Sequence, residues 1–154
     1  MTSAPGTTEF TPVDRRALAS VAMQFFMNGA AFASFVPRLP EIRTRLGVSL
    51  DGLGVLITIA LTIGLLGSLA APRVIARFGT RTTLIVGASV LIAGLPILGI
   101  ATVPLVFVLG YSAMSITDGM VDVSMNLQGS WLSARRHAPV MNRLHGLWSM
   151  GTVV

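Results

Sequence analysis

Four apolar runs, residues 17–36, 53–71, 84–101 and 105–132, are long enough to cross a bilayer, and this leaves few folds open. Within hydrocarbon every backbone N–H and C=O must be satisfied inside the segment, so only helices and closed barrels span. These runs are about twice the length of a transmembrane strand and lack its strict alternation, which selects helices. Only 11% of the 154 residues are charged, against 53% hydrophobic, and mean hydropathy is +0.77. A soluble domain carries nearer a quarter charged residues. The expected fold class is therefore all-α: a polytopic integral membrane protein with four transmembrane helices and the start of a fifth.

The fourth run is the anomalous one. Read as a helix, it places Asp118, Asp122 and Asn126 one turn apart on a single face. A carboxylate at mid-bilayer costs about 2.5–3.5 kcal/mol, and each Leu, Ile, Phe or Val returns about 0.3–0.6. Nine such residues between Leu105 and Leu127 supply roughly 3–5 kcal/mol against roughly 5–7 for the two aspartates. The span is marginal alone, so its surroundings must make the charges tolerable. A proton or cation site does this if a carboxyl takes up and releases a proton near neutral pH. A purely structural role, with the aspartates satisfied by helix–helix hydrogen bonds or facing headgroups, is the alternative. Asn126 extends the stripe below Asp122, which makes Asp122 the stronger candidate.

Taken in order, residues 1–13 are rich in Pro, Gly and Thr without apolar period, and residues 1–16 read as a disordered cytoplasmic tail. Arg15 and Arg16 before an apolar run could mark a cleavable signal. However, the run is too long for that, carries Gln24 and Asn28, and is followed by further spans. Residues 37–51 form the longest polar connection, with Pro37 and Pro40 closing the first helix. Residues 72–83 are a short basic connection, residues 102–104 a minimal turn, and residues 133–143 again basic. A fifth apolar stretch, residues 144–154, gives about 16 Å of helix, too short to cross. The domain expected over residues 17–154 is thus the first part of a longer membrane protein.

Arginine counts orient it. With the N-terminus inside, the cytoplasmic side holds Arg15, Arg16, Arg73, Arg77, Arg81, Arg135, Arg136 and Arg143, and the outside only Arg38, Arg43 and Arg45. Trp131 and Trp148 then fall near the cytoplasmic interface. The N-terminus is therefore expected in the cytoplasm.

Other polar positions carry weaker signals. Gln24 and Asn28, one turn apart on the first helix, suit the hydroxyl or amide groups of a solute, or equally interhelical hydrogen bonds. His145 shares a face with Asn142 and Ser149; it is either a proton relay or an interfacial side chain. Gly64, Gly67, Gly87 and Gly94 permit close helix approach. With no cysteine and no second ligand spaced to suit His137 or His145, neither a metal nor a cofactor is expected. There is no phosphate loop, nucleophile elbow or triad, so no catalytic residue is assigned and an enzyme is not expected. Nor is a nucleic-acid partner, because no basic patch is interleaved with exposed aromatics.

The turn Arg77-Phe-Gly-Thr-Arg81 resembles the signature loop of the major facilitator superfamily, Gly-x-x-x-Asp-Arg-x-Gly-Arg-Arg. Arg77, Gly79 and Arg81 match, while Pro72, Ala76 and Thr80 stand where the pattern has Gly, Asp and Arg. Three further stretches, VPRLPEIR from Val36, DVSMNLQG from Asp122 and MNRLHGLWSMG from Met141, resemble the bacterial inner-membrane permeases similar to fucose permease. This resemblance implies the N-terminal part of a twelve-helix fold. Its partners are protons, a small-molecule solute, the lipid bilayer and the missing C-terminal helices. It implies a proton-coupled permease (a symporter) working by alternating access, with the first and fourth helices lining a cavity. Arg77, Gly79 and Arg81 would form the conformational loop, Asp122 and Asp118 the coupling site, and Gln24, Asn28 and Asn126 the solute cavity. Fucose permease is understood to use an acidic residue on each of those two helices, whereas the first helix here offers only Gln24 and Asn28. The alternatives are a truncated, transport-inactive membrane protein or interaction partner, and a small dimeric four-helix exporter.

Overall fold

A computed structural model describes residues 10–153, and among these every regular element is helical. Helix α1 (Pro12–Phe35) begins inside the stretch expected to be a disordered tail. Thr11 caps it: its hydroxyl accepts from the Asp14 N–H at 3.2 Å, and the Asp14 carboxylate accepts from the Thr11 N–H at 2.9 Å. This reciprocal capping box, with Pro12 in the first turn, starts the helix on polar residues before any apolar periodicity appears. The part of the expected tail before Phe10 lies outside the described residues.

The connection expected over residues 37–51 is itself mostly helical. A 3₁₀ turn (Val36–Arg38) leads into α2 (Leu39–Leu46), which buries Ile42 and Leu46 and pairs Arg45 with Glu41 one turn earlier at 2.5 Å. Gly47 at φ 66° ends it in the left-handed conformation, which costs glycine nothing.

Helix α3 (Leu50–Gly99) opens on Ser49, whose side chain accepts from the Gly52 N–H at 3.0 Å. Its 50 residues merge the two runs expected as separate spans, and one residue inside them, Gly79 (φ 79°, ψ 156°), is not helical. Helix α4 (Pro104–Arg136) shows what that residue does. Gly64 lies against Ser115, and Gly119 against Ser68, so the first limb of α3 runs parallel to α4. Beyond Gly79 the order inverts: Gln128 donates to Thr80 at 2.8 Å, Gly87 meets Val121, Gly94 meets Met114, and Leu98 meets Gly110. The chain therefore reverses at Gly79, and both limbs pack on α4.

Helix α4 ends at His137 (φ 50°), and α5 (Met141–Gly151) follows. It begins three residues before the Leu144 expected to open the fifth stretch, and it packs on α1. A Cβ on Gly29 would strike the Trp148 carbonyl, and one on Gly151 the Phe26 carbonyl, so backbone meets backbone. Three helical stretches, Pro12–Leu46, Leu50–Gly99 and Pro104–Arg136, are long and apolar enough to cross a membrane. Their outer faces stay apolar: Leu69 is 70% exposed, Leu105 66% and Leu65 62%. Side chains of this kind on a water-facing surface would be an aggregation liability; in lipid they are solvated.

Candidate functional site

The faces of α4 that carry Ser115, Ile116, Gly119 and Val121 are taken up by the two limbs of α3. Asp118 and Asp122 emerge elsewhere, beside α1 and α5, and both remain exposed. Each carboxylate nevertheless has a polar partner, Asn28 for Asp118 and Asn126 for Asp122, so neither is left against apolar side chains alone.

Asp118 is joined to the first helix. The Asn28 amide donates to its Oδ1 at 2.8 Å, and the Trp148 indole donates to the Asn28 carbonyl oxygen at 2.9 Å. Three helices thus meet in one chain of hydrogen bonds, Trp148 to Asn28 to Asp118. Its direction is fixed by chemistry: an indole N–H can only donate, so the amide oxygen must face α5 and the amide NH₂ must face Asp118.

Asp122 is held differently. Asn126 donates to its carboxylate at 3.0 Å and to its main-chain carbonyl at 2.9 Å, all within α4. The stripe foreseen from spacing exists, but the cross-helix partner belongs to Asp118. The two carboxylates line a shared cavity of about 340 Å³ with Phe25, Phe32, His145 and Trp148. The His145 Nδ1 lies 3.0 Å from the Met141 carbonyl, which can only accept, so Nδ1 carries a proton and donates it there. Phe25 packs edge-on against this ring at 5.3 Å.

A second cavity, about 110 Å³, shares Asn28, Phe32 and Asp118 with the first. Phe35, Tyr111, Ser115 and leucines of both α3 limbs line it. The Ser115 hydroxyl has no hydrogen-bond partner among the described residues. Gln24 lines neither cavity and makes no side-chain hydrogen bond among the described residues, whereas Asn28, its neighbour one turn on, is central to both.

Arg77, Gly79 and Arg81 stand together at the α3 reversal, apart from the aspartates. Arg77 stacks on Phe78 at 5.6 Å, Arg81 is exposed, and Gly79 supplies the positive φ. The polar tie between this turn and α4 comes from Thr80, through Gln128. No three His, Cys, Asp or Glu side chains gather into a metal site among the described residues.

Two features escaped the sequence. Trp148, expected at the interface, points into the bundle, because the close α1–α5 contact at Gly29 brings its indole to Asn28. Asp14 is 4% exposed and accepts from Arg135 at 3.0 Å, linking the start of α1 to the end of α4. The Thr-x-x-Asp capping pattern could have flagged Asp14, but nothing local marks Arg135 as its partner. The Thr11 hydrogen bonds, together with the Arg135 charge, hold the Asp14 carboxyl below the usual carboxylate range.

Residues 21–154 match the family model for the Major Facilitator Superfamily. An uncharacterized MFS-type transporter of Yersinia pestis is 29% identical over 138 residues, covering 88% of this chain and 35% of the relative. An uncharacterized transporter of Sinorhizobium fredii is 29% identical over 143 residues (87% and 36%). The membrane protein MosC of Rhizobium meliloti is 28% identical over 140 residues (91% and 34%). The chain spans about a third of the length of these curated relatives. No solved structure matches.

Proposed function

Since this chain belongs to the Major Facilitator Superfamily, a family of membrane transporters rather than enzymes, we propose that it forms the N-terminal helices of a proton-coupled carrier for a small solute. In this reading the protein works by alternating access in a bacterial inner membrane, its N-terminus is cytoplasmic, and the reversal at Gly79 divides α3 into two crossings. The relatives' transporter names and their greater length support placing these helices within a larger fold.

The observation that carries the coupling role is the Asn28–Asp118 hydrogen bond between α1 and α4, whose two residues line both cavities. An ionised carboxylate accepts the amide N–H as a charge-assisted bond, which is roughly twice as strong as a neutral one. Protonation weakens that link and gives the carboxyl a donor of its own. The proton therefore changes how firmly α1 is held to α4, and these helices must shift relative to the rest of a carrier as access alternates. Asp122, braced by Asn126, sets the local field and is the second candidate. Asn28, Tyr111 and Ser115 offer polar contacts to a bound solute.

The test is uptake by the full-length protein in proteoliposomes, screened with a panel of radiolabelled small solutes, with and without an imposed pH gradient. Asp118→Asn should insert normally and lose the increment that the gradient produces, and Asp122→Asn should reduce it. A gradient-driven increment of wild-type size in Asp118→Asn would remove Asp118 from the mechanism.

A further inference from the structure

We infer that Trp148 is a positioning residue: its indole N–H fixes the orientation of the Asn28 amide and thereby sets the pH at which Asp118 exchanges its proton. The inference rests on the coupling role proposed above and adds to it a control exerted by α5.

An asparagine side chain has one accepting end and one donating end of nearly equal shape, so its orientation is decided by its neighbours. Here Trp148 Nε1 lies 2.9 Å from the Asn28 oxygen, and this donor cannot serve as an acceptor. The amide NH₂ is consequently turned to Asp118, 2.8 Å away, where it favours the ionised carboxylate. Without the indole N–H the amide is free to rotate. Its oxygen could then accept from a protonated Asp118, an arrangement that favours the acid. The indole is itself held in place. The Trp148 carbonyl sits against Gly29, so α5 cannot slide on α1 without a clash, and the ring lies against Phe32 at 6.3 Å. The titratable groups sharing the two cavities with Asp118 are Tyr111 and Asp122 on α4 and His145 on α5. The lining residues from α1 and both limbs of α3 carry no charge there. None of these groups bonds to Asn28, so once Asp118 is protonated and can itself donate, Trp148 is what still holds the amide in this orientation.

The test reads the proton directly and needs no solute. The Asp118 carboxyl band is titrated by pH-difference infrared spectroscopy on the full-length protein in proteoliposomes and assigned by its loss in Asp118→Asn. Trp148→Phe should move the midpoint to more alkaline pH by on the order of one unit, a ten-fold change in the equilibrium. The benzothiophene analogue of tryptophan at position 148, which keeps the ring shape and lacks the N–H, should move it equally; this separates the missing donor from altered packing. Asn28→Ala combined with Trp148→Phe should titrate as Asn28→Ala alone, because the indole acts through the amide. An unchanged midpoint with the analogue, or additive shifts in the double variant, overturns the inference. If the midpoint shifts as expected while uptake ignores the pH gradient, the coupling role fails and the positioning role stands.

Discussion

At the scale of single residues, the two aspartates show how far spacing alone can be read. Three polar positions at i, i+4 and i+8 do share a face, and Asn126 does bond Asp122. What spacing could not reveal is which carboxylate meets another helix, because that depends on the crossing of α1 and α4 and on the close seating of α5 at Gly29. Asp14 gives a residue-scale prediction with a definite sign. Its folded carboxyl titrates below the unfolded one, so its contribution to stability is present above the unfolded value and is lost as pH falls through the folded one. Asp14→Asn should therefore lower the unfolding midpoint of the protein in detergent at neutral pH. The gap to wild type should close in strong acid, where both side chains are neutral. A gap that persists unchanged in strong acid would show that the carboxylate charge, and with it the Arg135 pair, contributes nothing.

At the scale of elements, apolar run length was enough to find the long helices but not α2, and α3 and α4 start at Leu50, capped by Ser49, and at Pro104. The boundaries that sequence missed are polar ones. The Thr11 cap starts α1 early, and α2 forms within a connection whose charges pair along the helix instead of against the core. The glycines separate by what a side chain would meet. Gly67 faces the Ile116 backbone, where a methyl group has no room, so Gly67→Ala should push α3 from α4 at a cost of about 1–3 kcal/mol. Gly54 sits on the same limb in open space, and Gly54→Ala should be neutral or stabilising by up to about 1 kcal/mol. Gly79→Ala also meets no neighbour but would have to adopt φ 79° and ψ 156°, a region almost reserved to glycine, which costs about 1–3 kcal/mol. Thermal unfolding of the three variants side by side, in one detergent, distinguishes close approach from backbone strain. Equal losses at Gly54 and Gly67 would contradict the packing of α3 on α4.

At the scale of the whole molecule, the reversal at Gly79 decides how the chain threads a membrane. If α3 were one straight crossing, its two ends, near Ser49 and Ile100, would lie on opposite sides. The paired contacts of α4 with Gly64 and Gly94, at Ser115 and Met114, instead bring two points equally far along the chain from Gly79 to one level. Ser49 and Ile100 then return to the same side, and the Arg77–Arg81 turn lies opposite. In the orientation proposed above, which follows the arginine charge rule, that turn is cytoplasmic. These 154 residues hold no cysteine, so single cysteines introduced into them, with any elsewhere in the full-length protein replaced, report this without background. Thr44→Cys and Thr102→Cys in intact cells should react with a membrane-impermeant maleimide, and Thr82→Cys should react only after the cells are opened. All three positions are exposed in the fold, so protection reports the bilayer and not burial. Labelling of Thr44 but not Thr102 would make α3 a single crossing. Labelling of Thr82 alone would keep the hairpin and invert its orientation, placing the basic turns outside against the charge rule.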